Sequence, residues 1–226
     1  MINILCACEE SQIVLKAFKK YSDVNIYSCD LQECSGGLPG SHIIGDCLTL
    51  LGGGEFKTQD GQKHFVSKWD CLLAFPPCTY LSCAGAVNLL DKNHNIIDYK
   101  RYDNGVKAAL FFNQLLNADI PFICVENPRP IGLFNLPRPN QYVSPHFFGS
   151  DYSKRTYFWL KELPPLMYTN ICINPLTCTK SRWFTNGNNK YNNYKQKNRS
   201  KFFPELAEAM ATQWIEVLRE GVKGNV

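Results

Sequence analysis

The sequence lacks the marks of a secreted or membrane-bound protein. It has no apolar run near the roughly 20 residues that a membrane-spanning helix needs. The apolar start Ile2–Leu5 is interrupted too early to be a signal peptide. The eleven cysteines are odd in number and include no CxxC pair, which argues against a disulfide framework. We therefore expect a cytoplasmic protein that has no membrane partner.

Histidine is also scarce. The four histidines, at positions 42, 64, 94 and 146, are scattered and show no spacing typical of metal ligands. Because no CxxC pair is present to complement them, the sequence predicts no metal site.

Acidic residues are missing from one long stretch. The formal net charge is only +4, yet residues 180–201 contain lysines and arginines without a single acid, interleaved with aromatic residues. Such a segment favours a polyanionic partner such as a nucleic acid. The alternative is a solvated polar loop rich in asparagine.

What is present is an alternation of apolar segments typical of a single α/β domain over residues 1–226. The run Ile2–Ala7 is β-prone, Glu9–Lys20 has helical spacing, and Val24–Cys29 resembles a strand again. A strand, a helix and a strand in this order indicate a βαβ unit and hence a parallel sheet. The predicted fold is α/β, with a mostly parallel sheet flanked by helices and a loop-rich C-terminal third.

Further elements follow along the chain. A β-hairpin is predicted around Asp60-Gly61, inserted into the connection between two strands. Residues 128–150 and 161–200 are expected to be mostly irregular, and a last helix begins at Pro204. The other predicted strands are His42–Ile44, Trp69–Phe75, Pro121–Glu126 and Arg155–Leu160. A helix over residues 103–117 is expected to bury Val106, Ala109, Phe112 and Leu116.

Two predicted strand ends carry the residues with chemical potential. One strand leads into Pro76-Pro77-Cys78, and another ends at Glu126-Asn127. Because ligands of open α/β sheets bind at the carboxyl ends of the strands, we expect both segments to face one crevice. A cysteine and a glutamate delivered there are a nucleophile and a potential proton donor.

These segments resemble motifs of the cytosine carbon-5 DNA methyltransferases. Pro76-Pro77-Cys78, preceded by Asp70 and followed by Ser82, resembles the motif with the nucleophilic cysteine of that family, and Val125-Glu126-Asn127 resembles its Glu-Asn motif. The resemblance covers roughly residues 2–160 and extends to short methylase-like proteins of bacteriophages. It implies a Rossmann-like, S-adenosylmethionine-dependent methyltransferase fold. For a phage-encoded protein, the expected location is the cytoplasm of the bacterial host.

The resemblance also implies a mechanism and a set of site residues. Cys78 would add to carbon 6 of the pyrimidine, Glu126 would protonate ring nitrogen N3, and Asn127 would hold the shape of the pocket. The implied contacts to the cofactor S-adenosylmethionine are Glu10, Ser11, Asp30, Asp46 and Pro76. The implied contacts to the substrate are Pro77, Ser82, Lys154 and Arg155.

The chain departs from this family in the loop after the first strand. The family has a glycine-rich cofactor loop there, whereas Cys6–Gln12 contains no glycine. One interpretation keeps the cofactor, with Glu9 or Glu10 binding its cationic end and Ser11 capping the helix. The other interpretation drops the cofactor, so that the cysteine serves another electrophile or the protein only binds nucleotides.

A second departure is size. Only residues 160–203, a reduced basic loop region, take the place of a target-recognition domain. A basic-aromatic loop suits duplex DNA, a single strand or a free pyrimidine nucleotide equally well. Three functions stay open: a DNA (cytosine-5) methyltransferase, an enzyme that modifies a pyrimidine nucleotide, and a catalytically idle phage protein that binds nucleotides or nucleic acid. Neither the target sequence nor an oligomeric state is indicated.

Overall fold

The computed structural model describes residues 1–150, 154–171 and 202–224. The strands in these ranges are β1 (Ile2–Ala7), β2 (Val24–Asp30), β3 (His42–Ile44), β4 (Gly54–Lys57), β5 (Lys63–Val66), β6 (Cys71–Ala74), β7 (Phe122–Asn127), β8 (Gln141–Val143) and β9 (Thr156–Lys161). The α-helices in the same ranges are α1 (Ile13–Phe18), α2 (Tyr99–Leu116) and α3 (Pro204–Gly224). No helix among these residues is long and apolar enough to cross a membrane.

Seven strands form the main sheet in the order β3-β2-β1-β6-β7-β9-β8. The first five of these run parallel, and β9 and β8 complete the sheet through antiparallel pairing. The centre of the parallel sheet is buried, as the apolar run Cys71–Ala74 and the mostly apolar run Ile2–Ala7 require. The predicted Rossmann-like α/β architecture is therefore confirmed.

Helices cover both faces of the sheet. On one face, α1 and α3 pack together against β1, and on the other face α2 packs against β7. The apolar stripe predicted for the last helix is buried as expected: Leu206, Ala207, Met210, Ala211, Trp214, Ile215 and Leu218. The two faces thus enclose two separate apolar cores.

The predicted hairpin is present as a separate two-stranded sheet of β4 and β5. Thr58 Oγ1 donates a hydrogen bond to Asp60 Oδ1 (2.6 Å) within the turn. The hairpin contacts the main sheet through His64, whose Nδ1 lies 3.0 Å from the Tyr27 hydroxyl. The insertion therefore adds to the core on the α2 face and leaves the strand order of the main sheet intact.

Helix α2 differs from its prediction in length and in orientation. It begins at Tyr99, ahead of the predicted residue 103, because the Asp98 carboxylate accepts the Arg101 amide (2.8 Å) and caps the first turn. Val106, predicted to be buried, is 37% exposed. The residues of α2 that are buried are Gly105, Ala109, Phe112 and Leu115. Phe134 lies against Gly105, so the buried face of the helix is turned toward that glycine.

One other expectation is corrected, and one is refined. The first helix spans only Ile13–Phe18, because the preceding residues 9–12 form a hydrogen-bonded loop with Gln12 in a left-handed conformation. The range 128–150 is mostly irregular, as predicted, and contains one short strand, β8, that was not predicted. Its three residues pair with β9, and prolines on either side keep it short.

The contact between α2 and Phe134 gives a test of this packing. A Cβ atom on Gly105 would lie 2.0 Å from Phe134 Cζ. We expect Gly105→Ala to destabilise the protein by about 1–3 kcal/mol, because overpacking outweighs the gain in helix propensity. Urea unfolding measures this change, with Val106→Ala as the control, which should stay within about 0.5 kcal/mol of the wild type. A more stable Gly105→Ala protein would contradict the packing described.

Candidate active site

The carboxyl ends of β6 and β7 bring the two chemically interesting segments together. Ala74 pairs with Val125 in the parallel ladder, so both chains leave the same edge of the sheet at the same level. The buried Asn127 side chain then donates a hydrogen bond from Nδ2 to the carbonyl of Pro76 (3.0 Å). Pro76 is buried and Pro77 is exposed. The cysteine segment and the Glu-Asn segment are therefore joined by a side chain of the second segment.

The loop that carries Cys78 is tightly turned. Cys78 is half-buried, and its carbonyl accepts hydrogen bonds from the amides of Leu81 (3.1 Å) and Ser82 (2.9 Å). Ser82 is buried and forms an antiparallel bridge with Pro130. The amide of Ile131 also donates to the Leu81 carbonyl (2.7 Å). The chain after Cys78 is thus paired with the chain after Asn127, and this pairing fixes the direction in which the loop leaves β6.

Glu126 has a partner that sequence reasoning did not identify. Its Oε1 accepts a hydrogen bond from Thr156 Oγ1, at the start of the antiparallel strand β9. Glu126 pairs with Phe158 in the ladder, which sets Thr156 on the same face of the sheet. Thr156 is buried, whereas Glu126 is half-buried. No sequence pattern links Thr156 to Glu126. Thr156 could be noticed only because it directly follows Lys154-Arg155, the predicted substrate contacts.

Lys154 and Arg155, the two basic residues predicted to contact the substrate, each lie near a different aromatic ring. The guanidinium carbon of the exposed Arg155 lies 5.1 Å from the ring centroid of Tyr142, and the Tyr142 hydroxyl is the main cause of a raised pKa of Arg155. Lys154 Nζ lies 5.8 Å from the ring centroid of Phe203, which precedes α3. The basic segment at residues 180–201 lies outside the described residues.

The loop between β1 and α1 is built around a buried carboxylate. Glu9 Oε1 accepts hydrogen bonds from Ser11 Oγ (3.0 Å) and from the amide of Val14 (3.2 Å). Burial raises the pKa of Glu9 to about 7. The expectation that Ser11 caps the helix holds only in part: Ser11 Oγ lies 3.5 Å from the Ile13 amide, and the carboxylate of Glu9 accepts the Val14 amide. Ser11 is buried and holds the carboxylate in place.

Two residues of this loop adopt the left-handed conformation that glycine would adopt most easily. Cys8 and Gln12 have φ angles of 59° and 56°. The Gln12 side chain compensates by donating to the Leu38 carbonyl (2.9 Å) and accepting from the Leu38 amide (2.9 Å). It also donates to Ser28 Oγ (3.2 Å). The loop is therefore held by its own side chains where a glycine loop would be held by backbone contacts alone.

The predicted cofactor contacts form an acidic edge. Within the described chain, Glu9 Oε2 and Glu10 Oε2 are buried oxygens without a hydrogen-bond partner. Asp30, at the end of β2, accepts the Gln32 amide (3.0 Å), and the exposed Asp46 accepts the Leu48 amide (3.0 Å) and caps a short 3₁₀ turn. Unpartnered buried carboxylate oxygens suit a ligand with a cationic end and disfavour a phosphate. S-adenosylmethionine has such an end, so these residues fit it.

Comparisons with known proteins add a structural likeness. No protein-family model matches the chain, and no curated protein is similar to it. Among solved structures, a protein described as a DNA modification methyltransferase encoded within an Escherichia coli prophage aligns with 76% of this chain at a TM-score of 0.42 and 14% identity. The chain spans about half of that structure, 52% of its length.

The buried carboxylate of Glu9 predicts a dependence of stability on pH. Its pKa is about 7 in the folded state against an ordinary value of 4.5, so the folded state holds this proton more tightly. The contribution of Glu9 to the free energy of unfolding is therefore most favourable below pH 4.5. It falls by about 3 kcal/mol as the pH rises to about 7. We expect Glu9→Gln to remove this loss, so that the variant gains stability relative to wild type between pH 5 and pH 8.

Urea unfolding at several pH values measures the effect, and the exposed Glu55→Gln is the matched control. A difference between Glu9→Gln and wild type that stays constant from pH 5 to pH 8 would mean that Glu9 is not the titrating group.

Proposed function

We propose that this chain is a methyltransferase that acts on carbon 5 of cytosine in DNA, with S-adenosylmethionine as the methyl donor and Cys78 as the nucleophile. The observation that carries the proposal is the hydrogen bond from Asn127 Nδ2 to the Pro76 carbonyl, which joins the cysteine segment to the Glu-Asn segment. A nucleophile and a proton donor held on neighbouring strand ends are what the addition of a thiolate to a pyrimidine ring requires.

In this mechanism the Cys78 thiolate adds to carbon 6 of the cytosine. The electron pair of the double bond between carbons 5 and 6 then forms a double bond between carbons 4 and 5, and the pair of the double bond between carbon 4 and N3 moves to N3, which takes a proton from Glu126. This makes carbon 5 a nucleophile for the methyl group. The methyl donor would leave as a neutral thioether; a base then removes the proton from carbon 5, the double bond between carbons 5 and 6 forms again, the thiolate leaves, and N3 returns its proton to Glu126. In a duplex, the cytosine would have to be flipped out of the stack before the addition.

The contacts of Glu126 and Asn127 support separate roles. Thr156 Oγ1 donates to Glu126 Oε1, so the proton for N3 is assigned to the other carboxyl oxygen. Asn127 donates to the Pro76 carbonyl and is buried, which suits a residue that holds the Cys78 loop rather than one that reacts. Pro77, Ser82, Lys154 and Arg155 remain the proposed contacts to the nucleic acid, with the basic segment 180–201 as a further one.

S-adenosylmethionine supplies an activated methyl group when bound. The residues proposed to hold it are Glu9, Glu10, Asp30 and Asp46, with Pro76 closing the edge on the side of the substrate. The unpartnered buried oxygens of Glu9 and Glu10 support this assignment, because a positively charged group would satisfy them. Ser11 contributes indirectly by its hydrogen bond to Glu9.

A second candidate is a protein that binds a pyrimidine nucleotide or nucleic acid without S-adenosylmethionine, either idle or using Cys78 on another electrophile. The glycine-free loop favours it, because Cys8 and Gln12 occupy left-handed positions and the Glu9 carboxylate already accepts the Val14 amide. Isothermal titration with S-adenosylmethionine separates the two candidates. We expect binding to wild type and loss of binding in Glu9→Gln with Glu10→Gln, and no binding to wild type would support the second candidate.

The nucleophile is tested by the rate of methyl transfer to DNA. We expect Cys78→Ala to abolish the transfer, because no covalent addition can occur, and Glu126→Gln to reduce it about 100-fold or more by removing a general acid. Incorporation of labelled methyl groups into DNA measures both effects. Cys83→Ala, which removes an exposed thiol five residues further along, is the matched control and should keep the wild-type rate. Full activity in Cys78→Ala would disprove the mechanism.

A trapped adduct gives a second test that identifies the base. DNA containing 5-fluorocytosine, incubated with the protein and labelled S-adenosylmethionine, should give a covalent complex, because the fluorine at carbon 5 cannot leave as a proton does. Mass spectrometry should locate the adduct on the peptide that contains Cys78. An adduct on any other cysteine would contradict the assignment.

A further inference from the structure

Arg101 on α2 makes a contact with the loop of Cys78 that the proposed mechanism does not use. Its Nη2 donates a hydrogen bond to the carbonyl of Thr79 (2.7 Å), the residue directly after Cys78. The guanidinium carbon also lies 5.2 Å from the ring centroid of Tyr80. A side chain from a helix far along the chain thus holds the two residues that follow the cysteine.

The charge of Arg101 has no acidic partner among the residues that the structure describes. None of the ion pairs in this part of the chain includes Arg101, and its Nε is buried without a hydrogen-bond partner. Asp98, the nearby acid, accepts the backbone amide of Arg101 to cap the helix. A half-buried cation without a counterion is unfavourable unless an anion forms beside it.

The surrounding backbone is shaped to admit the guanidinium. A Cβ atom on Gly85 would lie 2.5 Å from Arg101 Nη2 and 3.1 Å from the Thr79 carbonyl oxygen. The absence of a side chain at Gly85 therefore leaves the space that Arg101 fills. The contact thus depends on Gly85 and Arg101, which are 16 residues apart in sequence.

We propose that Arg101 is a positioning residue for Cys78: it fixes the Cys78-Thr79-Tyr80 turn through the Thr79 carbonyl and favours the thiolate by its unpaired charge. Thiolates are stabilised by neighbouring arginine, and because the guanidinium is hydrogen-bonded to the residue that follows Cys78, a thiolate of Cys78 would supply the negative charge that Arg101 lacks. This inference rests on the proposed role of Cys78 as the nucleophile.

The test is the rate at which iodoacetamide alkylates Cys78, followed by peptide mass spectrometry, which needs neither DNA nor cofactor. We expect Arg101→Ala to slow alkylation of Cys78 about three- to tenfold, because the thiolate fraction falls. Arg101→Lys keeps the charge and should restore at least half of the lost rate. The exposed Cys83 in the same samples reports any general change and should react at an unchanged rate.

Gly85→Ala is a second variant that should slow the alkylation of Cys78. The added methyl group should displace the flexible end of Arg101 and press on the Thr79 carbonyl while the protein stays folded, and alkylation of Cys78 should slow at least as much as in Arg101→Ala. Guanidinium ions at low millimolar concentration should restore the rate in Arg101→Ala, where the space is open, and not in Gly85→Ala, where it is filled. Lys107→Ala removes an exposed cation of the same helix and is the control for net charge.

The outcomes separate this inference from the proposed function. If Arg101 only stiffened the loop, Arg101→Ala would loosen it and Cys78 would react faster or at the wild-type rate, which would overturn the inference. Methyl transfer that is lost in Cys78→Ala but normal in Arg101→Ala would also overturn it and leave the proposed function standing. Slower alkylation in a protein without methyl transfer would support the role of Arg101 and contradict the proposed function.

Discussion

The parallel register between β6 and β7 is the constraint on which the candidate site depends. With Ala74 opposite Val125, Pro76 and Asn127 lie at the same level and can hydrogen-bond. The same register points Glu126 and Asn127 to opposite faces of the sheet, because successive residues of a strand alternate. A slip by one residue would exchange these faces and separate Asn127 from the loop of Cys78. The chemistry thus rests on strand pairing inside the core.

The β1–α1 loop is built without the glycines that a glycine-rich cofactor loop has at this edge of the sheet. Glycine would let a ligand approach the backbone closely, whereas here the side chains of Glu9 and Gln12 fill and bond the loop from within. The result is a loop bonded by its own side chains, with two buried carboxyl oxygens left unpartnered in the described chain and a pKa of Glu9 raised to about 7. Selection of a ligand by charge replaces selection by backbone fit, which is consistent with a cationic rather than a phosphorylated ligand.

Much of the fold could be predicted because its signals are local. Apolar runs and the Asp60-Gly61 turn identified the parallel strands and the hairpin, and helical spacing identified the buried stripe of α3. The orientation of α2 could not be predicted, since Val106 and Leu115 are equally apolar and only the approach of Phe134 to Gly105 decides which is buried. Strand β8 was not predicted, because its three residues form a strand by pairing with β9 and not by their own β-propensity.

In the candidate site, too, the residues with local sequence signals could be predicted and those brought in by tertiary contacts could not. The motif residues of β6 and β7 were predicted from adjacent sequence, but Thr156 and Arg101 reach the site from other elements. Ser11 was expected to cap α1 on the strength of its residue type, yet it is the longer side chain of Glu9 that reaches the Val14 amide. Contacts between distant segments depend on tertiary packing, and a single sequence carries no local signal for them.

The main sheet ends on both sides in strands of only three residues, His42–Ile44 and Gln141–Val143. Such short borders offer few open backbone donors and acceptors to a strand from another chain. Growth of the sheet into a continuous intermolecular ladder is therefore disfavoured at both borders. The borders of the main sheet therefore present little template for aggregation.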